Sequence, residues 1–402
     1  MPSAAAKGQN DFRLTEEALL PYEHILRQQE SRRRRMGVRQ VEKPTYERYI
    51  IGPIERFDAR KTAFGLTTPG NPFGKEIHQR FQARTGYETR APLPYEELAP
   101  EDRIGQSLTQ AAWRLCRDHH PPTLPVTPEN ARFEVTDPAW MSRLIKKVAL
   151  FFGAELVGIS KVDTRWVYQG VDISHRYVIT SAVSHVPGML ATAPSHYSSA
   201  AVADTYSRLK FITTQLADFI CGLGYDAAYR ETLGEKTDML MVPTAIDAGI
   251  GEFARNGRVL SPELGINMRL KAVTTDLPLE VDKPISFGVH DFCMACENCA
   301  RYCPANAIPY GPPTDQPLDI YNNPGFRKWY VNAERCVTFW SMNKRKWSSC
   351  GGRCIAVCPW NKPLSPPHDA VRWLAIHAPD PVRKLLVAAD RKLYHRTRKI
   401  TQ

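Results

Sequence analysis

The length, composition and charge of the chain exclude several classes of protein. Its 402 residues are enough for two or three domains with a substantial core. A hydrophobic content of 43% and a charged content of 24% are ordinary for a globular protein. The formal net charge of +11 comes from basic runs, such as residues 32–35, that lack interleaved aromatic residues, which argues against a nucleic-acid-binding protein.

The sequence also gives no indication of export or of a membrane span. No stretch approaches the roughly 18 consecutive apolar residues that a transmembrane helix needs. The N-terminus lacks the apolar segment of a signal peptide, and the residues that follow the arginine run are not apolar. Cys116 and Cys221 stand apart from the other cysteines, which argues against a disulfide framework. We therefore expect a cytoplasmic protein with reduced thiols.

The first 130 residues are rich in Pro, Arg and Glu. Apolar periodicity predicts helices over residues 14–28 and 104–119, joined by irregular segments. Prolines at positions 121, 122 and 125 close this region. We interpret residues 1–130 as an N-terminal extension.

From residue 131 the chain alternates between helical and strand patterns. The spacing of apolar residues predicts a helix over 138–153, with Gly153 as its terminator. Short apolar runs at 156–159 and 177–183 are typical of strands, and 199–223 reads as a long amphipathic helix. The alternation predicts an α/β domain over residues 131–285.

Eight of the ten cysteines lie between residues 293 and 358. The first run has the spacing C-x2-C-x2-C-x3-C-P, and the second run also ends in C-x3-C-P. Bacterial ferredoxins bind two [4Fe–4S] clusters in this way, with the last cysteine of each run ligating the other cluster. The spacing therefore assigns one cluster to Cys293, Cys296, Cys299 and Cys358, and the other to Cys303, Cys336, Cys350 and Cys354. Zinc sites or disulfides would not explain two runs that each end in C-x3-C-P.

The predicted clusters indicate an electron-transfer module near the C-terminus. We expect a ferredoxin-like domain over residues 286–365, followed by a basic tail over 366–402 in which cationic residues face few acids. Such a tail is typical of solvated surface and a loose terminus.

A second distinctive stretch runs from residue 243 to 257. Gly249 and Gly251 remove side chains where the backbone must approach a bulky group. A tight turn before a helix explains the pair equally well. No GxGxxG follows a strand, so a nicotinamide site is poorly supported.

Four stretches taken together resemble the cobalamin-dependent reductive dehalogenases. They are Ala203–Leu209, Ala248–Gly257, Arg269–Pro278, and Cys336–Trp340 followed by Cys358–Pro363. The resemblance covers about residues 135–365. It implies an α/β (α+β) nitroreductase-like corrinoid-binding domain and a C-terminal ferredoxin-like module with two [4Fe–4S] clusters. It also implies base-off cobalamin as a cofactor and an organohalide as the substrate.

The resemblance implies roles for individual residues as well. Tyr206 matches the tyrosine of the long helix and is expected to donate the proton. Lys236 and Arg269 match the positions whose charge stabilises the phenolate that proton transfer leaves. The expected corrinoid contacts are Gly249, Gly251, Glu252, Thr275 and Asp276.

The chain departs from the family pattern in two ways. It lacks the usual export signal, which puts a respiratory, membrane-associated role in doubt. No fused flavin and iron–sulfur reductase follows Cys358, so we expect a separate low-potential electron donor of the ferredoxin or flavodoxin type. The sequence does not indicate the oligomeric state.

Two alternatives stay open on the sequence. One is an enzyme of the epoxyqueuosine reductase type, although its Gly-Arg-Asp-Tyr-His run is replaced here by Ala-Asp-Thr-Tyr-Ser. The other is a non-catalytic electron-transfer protein, which predicts iron without cobalt. Five aromatic residues either line an apolar substrate pocket or belong to the core: Trp166, Tyr168, Trp329, Trp340 and Trp347.

Overall fold

The centre of the molecule is a four-stranded antiparallel sheet. The computed structural model describes residues 13–85, 100–117, 132–231, 237–342 and 352–394. The strands of the sheet are β2 (Leu156–Lys161), β3 (Tyr177–Ser184), β4 (Ala227–Arg230) and β7 (Met268–Thr275), in the order β2–β3–β7–β4. All neighbours are antiparallel. The alternation of helices and strands therefore produces a mixed fold around an antiparallel sheet.

Two helices cover one face of the sheet. Helix α6 (Pro138–Phe151) begins at Asp137, whose carboxylate accepts hydrogen bonds from two backbone N–H groups of the first turn. Helix α8 (His196–Gly222) begins with a reciprocal capping box between Ser195 and Ser198. The two helices bury their apolar stripes against the inward side chains of β2, β3 and β7. The predicted helices over 138–153 and 199–223 are thus confirmed to within a few residues.

Helix α8 contributes to two separate cores. Its C-terminal half places Leu209 and Ile212 in the core against the sheet. Its N-terminal half places Val202 and Tyr206 in a different cluster, beside Cys293 and Cys296. The helix therefore connects the sheet to the cysteine-rich part of the chain.

A short helix and a hairpin pack on the other face of the sheet. Helix α9 (Met241–Asp247) is followed by the two-stranded hairpin β5 (Glu252–Phe253) and β6 (Val259–Leu260). Trp166, Ile246 and Met268 belong to the core on this face. The hairpin leads from the sheet toward the cysteine loops.

The N-terminal region packs against the rest of the molecule. Helices α1 (Arg13–Ala18) and α2 (Leu20–Met36) replace the predicted single helix over 14–28, because the chain turns at Leu19. Strand β1 (Arg39–Gln40) pairs with β8 (Ile285–Ser286). Arg33 forms an ion pair with the buried Glu263 at 2.6 Å, so part of the arginine run is internal rather than solvated.

The remaining helices have between 4 and 18 residues and lie mostly in the N-terminal and C-terminal thirds. They are α3 (Ala63–Leu66), α4 (Lys75–Thr85), α5 (Pro100–Arg117), α7 (Pro187–Leu190), α10 (Val289–Cys296), α11 (Asn298–Arg301), α12 (Ala333–Met342), α13 (Arg353–Ala356), α14 (Pro366–His377) and α15 (Asp380–Tyr394). Within the described ranges, no helix has the length and apolar character needed to cross a bilayer.

The C-terminal stretch is more ordered than its composition suggests. Most of the predicted loose tail folds into α14 and α15, and α15 packs against α10. Val387 is buried in the same cluster as Cys293. Buried apolar residues and the hydrogen bonds that Arg372 and Arg391 donate to backbone carbonyls hold this stretch in place.

Candidate redox site

Four cysteines of the first predicted set converge on one small cavity. Cys293 and Cys296 come from α10, Cys299 from α11, and Cys358 from the turn before Pro359; all four line the same space. Glu297, which separates α10 from α11, adopts a left-handed φ of 53°. This residue ends one helix and starts the next, so the cysteines on either side of it turn toward a common point.

The cavity is buried, which affects the protonation of its thiols. Burial raises the pKa of Cys293 to about 11 and that of Cys296 to about 12. Backbone N–H groups of Arg255 and Asn298 oppose this effect by hydrogen bonding to the two sulfurs. None of the described cysteines forms a disulfide. The thiolate form therefore depends on a cationic iron centre, and the convergence of four thiols fits a [4Fe–4S] cluster.

The second set is only partly within the described residues. Cys303, Cys336 and Cys354 are described, whereas Cys350 is not. Cys303 accepts a hydrogen bond from the backbone N–H of Ala307 at 3.4 Å. Cys354 is close enough to Cys299 for its charge to raise the pKa of that thiol, after the larger effect of burial. The two sets are therefore neighbours, as the exchange of cysteines between the two runs requires.

A buried arginine connects the β5–β6 hairpin to the cluster loop. The guanidinium of Arg255 is fully buried and donates to the carbonyl oxygens of Cys293 (3.0 and 3.1 Å), Pro309 (2.8 Å) and Gly311 (2.9 Å). It also stacks on the ring of Trp329, 4.6 Å from the ring centroid. These contacts fix the start of the cysteine run relative to the α/β domain.

The β5–β6 hairpin separates two different environments. Phe253 and Gly257 line an apolar cleft of about 330 Å³, whereas Ala254 and Leu260 line the thiol cavity. The same hairpin therefore borders both spaces, with the β5 residues Glu252 and Phe253 on the cleft side. The cleft is lined by three of the five aromatic residues noted in the sequence, Trp166, Tyr168 and Trp329.

Two of the three predicted catalytic residues lie together, on the thiol side of the hairpin. The guanidinium carbon of Arg269 lies 5.0 Å from the centroid of the Tyr206 ring. Trp113 of α5 stacks on the same ring with a centroid distance of 5.7 Å. Glu263, an acid that could have paired with Arg269, binds Arg33 instead. Lys236 lies outside the described residues, and all three catalytic roles stay predictions.

A buried histidine lies next to this pair. His185 follows β3 and is 1% exposed. Burial, followed by the charges of Arg269 and Arg258, places its pKa well below the usual value, so the imidazole is neutral at physiological pH. Asn267 is its neighbour, but neither imidazole nitrogen nor the Asn267 Oδ1 forms a hydrogen bond of good geometry within the described residues. These buried polar atoms are suited to a polar ligand.

Both glycines predicted to contact the corrinoid pack closely against backbone atoms of the chain itself. A Cβ at Gly249 would lie 2.5 Å from the carbonyl oxygen of Lys283, and a Cβ at Gly251 would overlap the carbonyl of Leu260. Gly249 also has a positive φ of 68°. Both glycines therefore allow close packing of the chain against itself, and a corrinoid contact by either one stays a prediction.

The other three predicted corrinoid residues are spread over the domain. The buried carboxylate of Glu252 lines the apolar cleft and accepts hydrogen bonds from the backbone N–H groups of Phe287 (2.6 Å) and Val289 (3.3 Å). Thr275 donates to the carbonyl of Asp226 at 2.7 Å, and Asp276 accepts from the backbone N–H of Arg176 at 3.0 Å. Thr275 lies six residues along β7 from Arg269, roughly 20 Å at strand spacing.

Sequence reasoning did not single out Arg255, His185 or Trp113. Arg255 lies inside the quoted stretch 248–257, where an arginine between apolar residues and glycines could have indicated a buried guanidinium. His185 follows an apolar strand, a pattern that does not distinguish a core histidine from a ligand. Trp113 comes from the N-terminal extension, and nothing in its surroundings indicates contact with Tyr206.

Comparisons with known proteins agree with this arrangement. Residues 154–279 match the family described as reductive dehalogenase subunit, and residues 292–362 match the 4Fe-4S dicluster domain. These ranges fall within the predicted domains over 131–285 and 286–365, whose boundaries stay predictions. The dicluster match confirms the prediction of two [4Fe–4S] clusters, and the dehalogenase family is cobalamin-dependent.

The chain is also similar to curated proteins over much of its length. It is 34% identical over 292 residues to a tetrachloroethene reductive dehalogenase of Desulfitobacterium hafniense, covering 60% of this chain and 51% of the relative. An epoxyqueuosine reductase of Bacillus subtilis is 29% identical over 208 residues, covering 42% of this chain and 48% of the relative. The chain spans about half the length of each of these relatives.

A solved reductive dehalogenase structure shares the fold. This structure, described with a mechanism for B12-dependent dehalogenation, has a TM-score of 0.67 and 26% sequence identity, and the match covers 89% of this chain and 49% of that chain. The fold, the two matched domains and the sequence identity agree. Over these matched regions, the chain is similar to the reductive dehalogenases.

Proposed function

We propose that this protein is a reductive dehalogenase. The reaction would cleave a carbon–halogen bond of an organohalide with two electrons and one proton, giving a carbon–hydrogen bond and a halide ion. The observation that carries the proposal is that Tyr206, with Arg269 against its ring, is partly buried and packs against the core cluster that contains Cys293 and Cys296. One hydrophobic core thus connects the proposed proton donor with the proposed electron source.

The cobalamin would be held on the Tyr206 side of the β5–β6 hairpin. His185 and Asn267 present buried polar atoms that lack good hydrogen bonds within the described residues, and a corrin ring carries peripheral amide groups that could complete them. When bound, the corrinoid supplies the low-potential electron chemistry that protein side chains lack. The predicted contacts of the corrinoid would add to those of His185 and Asn267; they are Gly249, Gly251, Glu252, Thr275 and Asp276.

The side chains around this space have complementary roles in the proposal. Tyr206 holds the proton at its phenol oxygen, and the Arg269 guanidinium stabilises the phenolate that remains after proton transfer. Lys236 is proposed as a second cation at the same oxygen. The indole of Trp113 covers the tyrosine ring and excludes water from it.

Electrons would reach this space through the two clusters. Cys293, Cys296, Cys299 and Cys358 would hold the cluster beside Tyr206, and Cys303, Cys336, Cys350 and Cys354 would hold the other. The cluster sets are adjacent at Cys299 and Cys354, so an electron could pass from one to the next. A separate low-potential ferredoxin or flavodoxin is the proposed donor. Tetrachloroethene, the substrate in the name of the Desulfitobacterium hafniense relative, is the first substrate to test.

The test is metal content followed by halide release. Protein reconstituted anaerobically with hydroxocobalamin, iron and sulfide should hold about one cobalt and eight irons per chain. With a chemical reductant it should release chloride from tetrachloroethene or from a halogenated phenol. Eight irons without cobalt, in folded protein with excess cobalamin, would support the electron-transfer alternative instead. Cobalt and iron without halide release from a broad panel would contradict dehalogenation.

A further inference from the structure

Two asparagine side chains face the thiol cavity with unused hydrogen-bonding capacity. Asn256 and Asn298 both line the space bounded by Cys293, Cys296 and Cys358. They are 9% and 1% exposed, so water does not hydrate them. The Nδ2 of each amide finds no hydrogen-bond partner within the part of the chain that the structure describes. A buried amide N–H without a partner is destabilising, so a ligand in the cavity is expected to accept its hydrogen bond.

The amide of Asn298 is oriented by the C-terminal helix. Arg391 of α15 donates from Nε to the Oδ1 of Asn298 at 2.6 Å and also binds the carbonyl of Cys296. A guanidinium has donors and no acceptor, so the amide atom that faces it must be the oxygen. The NH2 group of Asn298 is therefore the end left for the cavity.

Asn256 reaches the cavity from the α/β domain. It belongs to the turn of the β5–β6 hairpin, directly after Arg255, whose guanidinium binds the carbonyl of Cys293. That bond fixes the turn against the cysteine loop. The two amides thus reach one cavity from the ferredoxin-like segment and from the α/β domain.

We infer that Asn298 and Asn256 each donate an N–H hydrogen bond to sulfur of the cluster held by Cys293, Cys296, Cys299 and Cys358, and thereby raise its reduction potential. One-electron reduction adds negative charge that spreads over the sulfurs, so a donor stabilises the reduced cluster more than the oxidised one. Both residues are positioning residues for the cluster. The inference rests on the proposed cysteine assignment, but not on cobalamin or on dehalogenation.

The direct test is a redox titration of the reconstituted protein followed by EPR, without substrate. Asn298→Leu and Asn256→Leu remove the donor while keeping a similar volume. Each change should shift the midpoint of one of the two clusters by about 59 mV to more negative potential, a tenfold change in the one-electron equilibrium. The other cluster should keep its potential, and the double variant should shift further.

A matched control is Asn322→Leu. The Asn322 amide is partly buried but bonds to the carbonyl of Val331 at 3.2 Å, away from the thiol cavity. This variant should leave both potentials unchanged. Unshifted potentials in the double variant, with full iron content, would overturn the inference, as would an equal shift in the control.

A second measurement avoids the risk that a variant fails to assemble its cluster. Wild-type protein labelled with 15N only in the asparagine side-chain amide is reduced and studied by hyperfine EPR spectroscopy. A weak nitrogen coupling to the reduced cluster would support the hydrogen bond, and its absence would overturn it. The cluster midpoints and the nitrogen coupling can both be measured even if the protein does not bind cobalamin or release halide. The two proposals can therefore be contradicted independently.

Discussion

The two sides of the β5–β6 hairpin border cavities of different chemistry. One side faces a cleft of about 330 Å³ with aromatic walls, which Glu252 and His290 also line. The other side faces four cysteines, and Tyr206 packs against the core cluster that contains Cys293 and Cys296. The larger of these two cavities is therefore not the one that collects the thiols, so cavity size does not indicate where the predicted cluster ligands lie.

One pair of residues links the two sides. Trp329 lines the cleft, and the Arg255 guanidinium that stacks on it binds the carbonyl of Cys293. A change in the cleft can therefore reach the cysteine loop through this contact. If the chemistry is confined to the thiol side, changes on that side should have the strongest effects.

The largest effect is expected at the cluster ligands. Cys358→Ser should remove one cluster and lower the iron content from about eight to about four per chain. The measurement is iron and acid-labile sulfide after anaerobic reconstitution. Cys221→Ser is the matched control, because Cys221 is buried among α8 and β4 with only a weak contact to the carbonyl of Ala227. An unchanged iron content in Cys358→Ser would contradict the assignment of that ligand.

The next effect concerns the proton donor. Tyr206→Phe should lower the rate of halide release by about 10²–10⁴-fold, the usual contribution of a general acid, while cobalt and iron content stay the same. Steady-state chloride release checks this prediction. Tyr197→Phe, a change on the opposite face of the same helix α8, should retain activity. Wild-type rates in Tyr206→Phe would remove Tyr206 from the mechanism.

A smaller effect, on stability, is expected at the link between the two sides. Arg255→Met would leave buried carbonyl oxygens of Cys293, Pro309 and Gly311 without their donor. At about 1–3 kcal/mol for each unsatisfied group, the free energy of unfolding should fall by about 3 kcal/mol or more. Denaturant unfolding of the holoprotein measures it.

The control for this stability change is an exposed ion pair. Arg327 binds Asp315 with its side chain 54% exposed, and Arg327→Met should change the free energy of unfolding by less than about 1 kcal/mol. Equal stability of the Arg255 and Arg327 variants would mean that the hairpin does not hold the cluster loop.

The smallest effect compares the two sides directly. His185→Leu removes a polar side chain from the thiol side and should weaken cobalamin retention about tenfold, which corresponds to about 1.4 kcal/mol. Phe326→Leu changes a wall of the cleft and should leave cobalamin retention unchanged. Equilibrium dialysis of reconstituted protein measures both. A larger loss in Phe326→Leu would place the corrinoid in the cleft instead.

The cluster module was largely predictable because its information is local. Three of the four cysteines of the first set lie within seven residues, and their spacing alone indicates a loop that wraps a cluster. The strong helices over 138–153 and 199–223 were predictable for a similar reason, since apolar periodicity and caps act over short distances. The C-terminal helices were missed, because their basic residues were expected to be solvated, whereas Arg372 and Arg391 form hydrogen bonds inside the fold.

The proposed catalytic pair was suggested by resemblance and not by chemistry visible in the sequence. Tyr206 and Arg269 are 63 positions apart and meet only because α8 packs on β7. For Gly249 and Gly251, the structure offers an explanation that does not need a ligand. Their pattern suggested a ligand, but their close neighbours are backbone atoms of the chain itself.

The cluster ligands, the principal helices and the family resemblance could be predicted from the sequence alone, since each depends on residues close together in the chain or on a recurring pattern. Only the tertiary structure decided which face of the hairpin carries the thiols, which arginine supports the cysteine loop, and which amides border the cavity. Arg255, Asn256 and Asn298 acquire these positions through contacts between distant segments. Such contacts depend on how whole elements pack, and neither composition nor periodicity encodes that.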